Sequence, residues 1–407
     1  MAPSYICDVG RRDVLRAGLY AGGLVALGVP LATARPAQAS EAAASGRILV
    51  VVELSGANDG LNTVVPFRDD AYYKARPKLG IRPDKLRKID QDFGFQFTMA
   101  GFERLYKDGR LAIVHGAGYD QPSFSHFSSM AYWHTGAPNS GSAYGWLGRL
   151  ADGMDPGGTA DYLVNIDSHQ SLAVRARNHV PLVFDDPEKF GRAAVFDEGS
   201  ALKSIAAAGH ARNPAQRFLF DVARSAQNAE PHLRQACAEY RSPIDYGLVR
   251  FGLERVAALI SAAFPTRIYY VAFRNNAFDT HVYQADTHAR LWTYTSDHVA
   301  AFLKDMDRIG RADDVTVMVF SEFGRRVAEN ANLGTDHGTA GPVFIAGKPV
   351  HGGHYGKMPS LVDLDDGNMR HTTDFRRVYA TLIREWMNYP DVGEVLNQNF
   401  ETLKVFG

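Results

Sequence analysis

Cysteine is almost missing from this chain: 2 in 407 residues, and one of them, Cys7, lies in an N-terminal segment marked for removal. Cys237 then has no partner for an intramolecular disulfide, so the chain must be held by its core and not by staples. In "RQACAEY" it reads as a helix-packing residue. An excess of charge is lacking too. With 44 basic against 45 acidic side chains and a formal net charge of −1, no basic field for nucleic acid is implied. Low-complexity stretches, internal repeats and a linker between independent domains are also absent from the sequence. The apolar stretch "AGLYAGGLVALGVPLATA" is about the length of a marginal membrane span, but Gly22, Gly23, Gly28 and Pro30 weaken it, which argues against a retained anchor.

What is there begins with that segment. Arg11-Arg12 precede the apolar core, and Ala37-Gln38-Ala39 supply small residues before Ser40. This is the pattern of a twin-arginine signal peptide spanning residues 1–39, which implies the twin-arginine export machinery as a partner, a periplasmic or extracellular mature protein, and no stable membrane span after cleavage. Residues 40–407 read as a single α/β domain.

Short apolar, β-branched runs recur in "RILVVVEL", "LAIVHG", "YLVNI", "RIYYVAF", "VTVMVF" and "PVFIAG", each fitting a strand buried on both faces. Helical patterns lie between them, notably "FERLYKDG", "LVRFGLERVAALISAAF" and residues 284–309. Strands alternating with helices predict a mostly parallel sheet flanked by helices. Residues 176–242, richer in Ala, Arg and Asn, read as an inserted helical cap. In "TTDFRRVY" Asp374 is expected to cap a helix.

In such sheets ligands collect beyond the carboxyl ends of the strands. Three motifs fall there: "SGANDG" with Asp59, "NNAFDTH" with Asp279 and His281, and "SEFGRR" with Glu322, followed fifteen positions later by His337 in "GTDHG". Carboxylate plus imidazole is a mixed ligand set for Zn²⁺ or Mn²⁺. Each has a plainer reading: Asp279 or Thr280 as a helix cap, Glu322 as a partner of Arg325 or Arg326, and Asp336-His337 as a turn. His351 and His354 in "HGGHYG" sit in a glycine-dense loop.

A strand ending in a carboxylate, a loop, "GTDHG" and then the strand "PVFIAG" resembles the metal-binding C-terminal half of the alkaline phosphatase superfamily, above all its phosphopentomutase and cofactor-independent phosphoglycerate mutase branch. The whole chain, through "SGANDGLNTVVPF", "SHF", "FDTH", "SEFGRRVAEN", "GTDHG" and "TDFRRVY", also resembles a family of twin-arginine-exported bacterial proteins known mainly as a domain of unknown function. The resemblance implies an alkaline phosphatase-like fold and a divalent metal (Zn, Mn, Mg or Ca), at one site rather than two or at none. Asp59 (or its rival Glu53), Asp279, His281, Glu322 and His337 would hold it. Phe323 departs from the pattern, standing where the superfamily has a second-site histidine.

The superfamily nucleophile sits at a helix N-terminus, where free N–H groups favour an anion. "QPSFSHFSSMAYWHTG" offers Ser125, or alternatively Ser123, and either could instead merely cap the helix. Lack of a cysteine there excludes a formylglycine made from Cys. The resemblance implies an exported hydrolase of phosphate or sulfate esters, with Arg325 or Arg326 clamping the anion. The alternatives are a binding or accessory protein for an anionic ester or polymer that keeps the fold without the chemistry, and an isomerase moving phosphate within one molecule.

Replacing Arg11 and Arg12 together by Lys should block export, and N-terminal sequencing of exported material should find Ser40 at or near the start. Residues 1–39 intact on exported protein would refute the assignment.

Overall fold

The structure is a computed structural model that describes residues 46–188 and 214–407. The expected signal, 1–39, and the centre of the expected insertion, 189–213, lie outside the described residues. The described residues fall into two compact units, 46–187 with 233–407, and 188 with 214–232. In the smaller, residues 214–232 are helical, forming the first part of the helix Pro214–Glu239. The sheet and the site belong to the larger unit.

The six apolar runs become β1 (Ile48–Leu54), β2 (Leu111–Gly118), β3 (Leu163–Ile166), β5 (Ile268–Phe273), β6 (Val315–Phe320) and β7 (Gly341–Ala346). They share a nine-stranded sheet with three short strands, β4 (Leu182–Phe184), β8 (Gly353–Tyr355) and β9 (Thr373–Asp374). The order is β8-β2-β7-β6-β1-β5-β3-β4, with β9 also pairing with β2. Only β7 runs antiparallel to its neighbours; all other pairs in the sheet are parallel. Every residue of β1 and of β6 is buried, as their nearly unbroken apolar sequence, interrupted only by Glu53 and Thr316, requires of strands covered on both faces. The expected insertion, 176–242, opens with β4, an edge strand of the sheet.

Helices His126–Thr135 (α1) and Gln284–Arg308 (α2) supply much of the aromatic packing. Trp133 of α1 stacks on Phe375 at 4.2 Å and on Phe320 of β6 at 5.3 Å, and Trp146 stacks on Tyr379 at 4.1 Å. Trp292 of α2 meets Phe102 at 5.5 Å and Phe344 of β7 at 5.6 Å. Such pairs contribute about 0.5–1.5 kcal/mol each beyond their burial. Asp374 caps the helix Phe375–Thr381, accepting from the Arg376 amide. Cys237 lies near the end of its helix, and burial pushes its thiol up to about 11. No helix among the described residues is long and apolar enough to cross a membrane.

Because β1, β5 and β6 are adjacent and parallel, the loops that follow them emerge at one end of the sheet. Backbone bonds tie the first two together: the Ser55 amide donates to Phe273 and the Phe278 amide to Ser55.

One ion cluster fixes the approach to β4. His179 is buried and places Nδ1 at 3.0 Å from Asp152 and Nε2 at 3.0 Å from Asp155. Burial opposes its charge, yet the two carboxylates outweigh this and hold the imidazole above its ordinary pKa. Burial likewise opposes ionisation of Asp155, but bonds from Thr159 and His179 keep its carboxyl below the usual range. The cluster's stability is therefore lost in two directions, as Asp155 protonates in acid and as His179 loses its proton on raising the pH through its folded pKa. His179→Gln should lower stability by about 3 kcal/mol at pH 6 and by less at pH 9. Denaturant melts at the two pH values check this; an equal loss at both would count against the charged clasp.

Candidate functional site

The loop 321–338 folds back on itself through an antiparallel bridge between Arg325 and His337. The Arg326 amide donates to Asp336 at 2.9 Å and the Gly338 amide to Gly324 at 2.9 Å. The two arms lie so close that a Cβ on Gly324 would stand 1.9 Å from the Ala340 carbonyl oxygen. This pairing is how Glu322 and His337, fifteen residues apart, reach one place.

Glu322 is fully buried and its carboxylate sits in a nest of amides. Gly56 N donates to it at 2.9 and 3.2 Å, Ala57 N at 3.0 Å and the Ser321 hydroxyl at 2.9 Å. The nest needs left-handed backbone at Gly56 (φ +112) and Ala57 (φ +65). Gly56 cannot be replaced lightly, since a Cβ there would meet the Asp279 amide at 2.5 Å. The remaining capacity of Glu322 goes to His126, the first residue of α1, whose Nδ1–H donates to Oε1 at 2.7 Å.

That bond fixes the tautomer of His126 and leaves Nε2 facing Asp279 Oδ2 at 3.5 Å, a buried atom with no hydrogen-bond partner. His337 repeats the arrangement. Its Nδ1–H donates to the Phe124 carbonyl at 2.8 Å, so Nε2 faces Asp279 Oδ1 at 3.2 Å. His281 adds a third ring: its Nε2 lies 2.9 Å from His337 Nε2 and 2.9 Å from Asp279 Oδ1, while Nδ1 lies 3.3 Å from Asp336. Two imidazole lone pairs directed at a carboxylate repel it unless a proton or a cation lies between them. One ligand atom each from His126, Asp279 and His337 fall within 4.8 Å of one another, and the orphaned Nε2 fits a bound divalent ion. An imidazole-rich set suits Zn²⁺ or Mn²⁺ better than Mg²⁺ or Ca²⁺.

The Glu322 bond, against the effect of burial, raises the His126 pKa, whereas burial lowers that of His337. Burial opposes ionisation of Asp279, but the Arg325 guanidinium at 2.7 Å holds its carboxyl below the usual range.

Arg325 is placed to serve Asp279 rather than a ligand. It is buried, and its N–H groups are spent on the carbonyls of Ala57, Gly56, Phe278 and Thr335 and on Asp279, with His281 Nε2 at 3.4 Å from Nη1. No donor remains for an anion. Arg326 is half exposed and reaches Asp366 at 3.4 Å. Asp59 is turned away from the cluster: both its oxygens accept from Arg76, at 2.6 and 2.9 Å, and one accepts from Gln284. Gln284 in turn accepts from Thr335 at 2.6 Å, so Asp59 underpins the loop as a buried ion pair. Glu53 is elsewhere, bonded to His134 at 2.8 Å and to Tyr270. His354 pairs with His115 at 2.7 Å, apart from the cluster.

Ser125 is the N-cap of α1 and exposed, receiving the Ser128 amide at 3.5 Å. It lies between Phe124, which accepts from His337, and His126. Ser123 sits one step back and accepts from the Ser125 amide at 3.2 Å. Phe323 is buried, with its ring 5.1 Å from that of His126 and 5.0 Å from that of His337. Sequence reasoning passed over His126; its signal was its place beside Ser125 at the start of a helix.

The family described as "Protein of unknown function (DUF1501)" matches residues 47–384. No curated protein sequence matches the chain. Among solved structures, a protein in the alkaline phosphatase superfamily from Vibrio parahaemolyticus aligns at 11% identity and TM-score 0.37, over 88% of this chain and 71% of its own. The PsFucS1 sulfatase from Pseudoalteromonas sp. aligns at 10% identity and TM-score 0.39, over 89% and 72%. At such identities and scores the likeness decides nothing about the site.

His126→Ala should abolish stoichiometric Zn²⁺ or Mn²⁺ binding in calorimetric titration. Glu322→Gln, which turns an amide NH₂ toward the Gly56–Ala57 donors, should weaken it by roughly 10–100-fold. Wild-type affinity should fall as the pH drops through the raised His126 pKa, because the ion competes with a proton. Unchanged binding in both variants would remove His126 from the ligand set.

Proposed function

Because this chain belongs to the DUF1501 family and gathers His126, Asp279 and His337 around a common point, we propose that it is a metal-dependent hydrolase of phosphate or sulfate esters. The observation that carries this reading is the buried, unpartnered Nε2 of His126, aimed at Asp279 while Glu322 locks the other ring nitrogen. His126, Asp279 and His337 would hold the ion, with His281 beside them. When bound, the ion would neutralise the ester's anionic oxygens and lower the pKa of a nearby hydroxyl.

The chain's own residues divide the remaining work. Glu322 and the Phe124 carbonyl orient the two imidazoles, Asp336 backs His281, and Arg325 fixes Asp279. Ser125 would attack: its Oγ bonds to phosphorus or sulfur as the bond to the alcohol oxygen breaks. The serine proton passes to water and the alcohol leaves protonated; a second water then cleaves the serine ester, releasing the inorganic anion and restoring Ser125. The free amides at the start of α1 favour the anion held there. The twin-arginine signal read from residues 1–39 would place this activity outside the cytoplasm.

A second reading, an exported protein that binds an anionic ester without cleaving it, draws on Phe323 and Arg325. The phenyl ring against His126 and His337 and the guanidinium on Asp279 leave little room for a second ion.

With purified mature protein, a panel of aryl phosphates and aryl sulfates and Zn²⁺ or Mn²⁺, Ser125→Ala should lower kcat by at least about 10³-fold while metal content is kept. His337→Ala should lose both. Full activity in Ser125→Ala would remove it as nucleophile, and stoichiometric metal with no turnover of any ester in the wild type would favour the binding protein.

A further inference from the structure

Among the described residues, seven large apolar side chains are well exposed, and four flank the candidate site: Phe124 (42%), Phe127 (88%), Val282 (54%) and Tyr283 (73%). Phe124 and Phe127 bracket Ser125-His126, and Val282-Tyr283 directly follow His281. Scattered exposed apolar residues are ordinary, whereas their concentration at one functional location is not.

The rim is held by the same bonds that build the site. The Phe124 carbonyl accepts from His337, and the His281 carbonyl accepts from Asn330 at 3.0 Å. The Tyr283 and Gln284 amides donate to the carbonyls of Asn332 and Leu333 at 3.0 and 2.9 Å, which caps α2 from the loop 321–338. Tyr283 itself adopts left-handed backbone, φ +46 and ψ 49. A bulky aromatic there is costly where Gly or Asn would not be, and such strain clusters at ligand clamps. The cost is borne by a residue whose ring goes into solvent.

Resting on the ester-hydrolase reading, we propose that the organic part of the substrate is a hydrocarbon, carried on the rim of Phe124, Phe127, Val282 and Tyr283 while its anionic head occupies the polar cluster. The four residues are the immediate chain neighbours of Ser125, His126 and His281, so a ligand whose anionic head reaches those rings has its body beside apolar side chains, the arrangement an amphiphile matches. A sugar body could lay only its C–H faces on these side chains, which offer its hydroxyls a single polar atom, the Tyr283 hydroxyl.

The test is binding to the metal-loaded, full-length mature protein of three probes: inorganic phosphate, glucose 6-phosphate and hexyl phosphate. Apolar burial of even part of the hexyl chain should make hexyl phosphate bind roughly tenfold or more tighter than inorganic phosphate. Phe127→Ser combined with Tyr283→Asn should erase that preference and leave the affinity for inorganic phosphate intact. Both positions are exposed and Asn tolerates left-handed backbone, and an unchanged Tm confirms that the fold is kept. Equal binding of hexyl and inorganic phosphate, a preference for glucose 6-phosphate, or an undiminished preference for hexyl phosphate in the double variant overturns the rim assignment alone. Failure of the wild type to bind any of the three, or the corresponding sulfates (inorganic sulfate, glucose 6-sulfate and hexyl sulfate), overturns the ester-hydrolase reading, and the rim assignment with it.

Discussion

Arg325 is the constraint on which the site depends. Its buried guanidinium donates to carbonyls of the loop after β1 (Gly56, Ala57), the loop after β5 (Phe278) and its own loop (Thr335), as well as to Asp279. A planar fork with five donors can join three loops in this way, which a lysine's single ammonium could not do with the same geometry. The charge is balanced by one carboxylate and four carbonyl dipoles, so a buried cation that would otherwise be costly becomes an organiser. Beneath it a second network, Arg76–Asp59–Gln284–Thr335, fixes the same loop to α2. Together they tie strand-end loops, usually the mobile part of a fold, to buried polar anchors.

The polar groups fall into two shells with different tasks. Asp279 and the Nε2 atoms of His126, His281 and His337 face one another across short gaps, while Glu322, Asp336 and the Phe124 carbonyl lie behind the rings and set their tautomers. This is the division found at metal centres, where outer hydrogen bonds aim the ligands. It also explains why a carboxylate as deeply buried as Glu322 is affordable: two backbone amides, a hydroxyl and an imidazole share its charge.

The sheet was legible because its central strands are apolar on both faces, and all six such runs lie in it. The reversal of β7 was not, since a buried strand has the same composition whichever way it runs. Strands β4, β8 and β9, of two or three residues, are too short to leave a periodic signal. At the site, Asp279, His281, Glu322 and His337 could be collected from strand ends, but their division of labour could not. Spacing cannot distinguish a carboxylate that faces a common centre, such as Asp279, from one that aims a histidine, such as Glu322, or anchors an arginine, such as Asp59. His126 stayed hidden for a related reason: its partners are about 150–200 residues away in sequence, and only the tertiary arrangement reveals the pairing.

The bond between Glu322 and the Gly56 amide joins residues 266 apart in sequence, and it has a kinetic meaning. Parallel pairing of β1 with β5 and β6 requires closing very long loops before any contact repays the entropy, which places such folds among the slow ones. The β6–β7 pair, by contrast, is local and can form early. The three imidazoles therefore meet only in chains whose first strand has already found β5 and β6, so the assembled centre is itself a marker of completed folding.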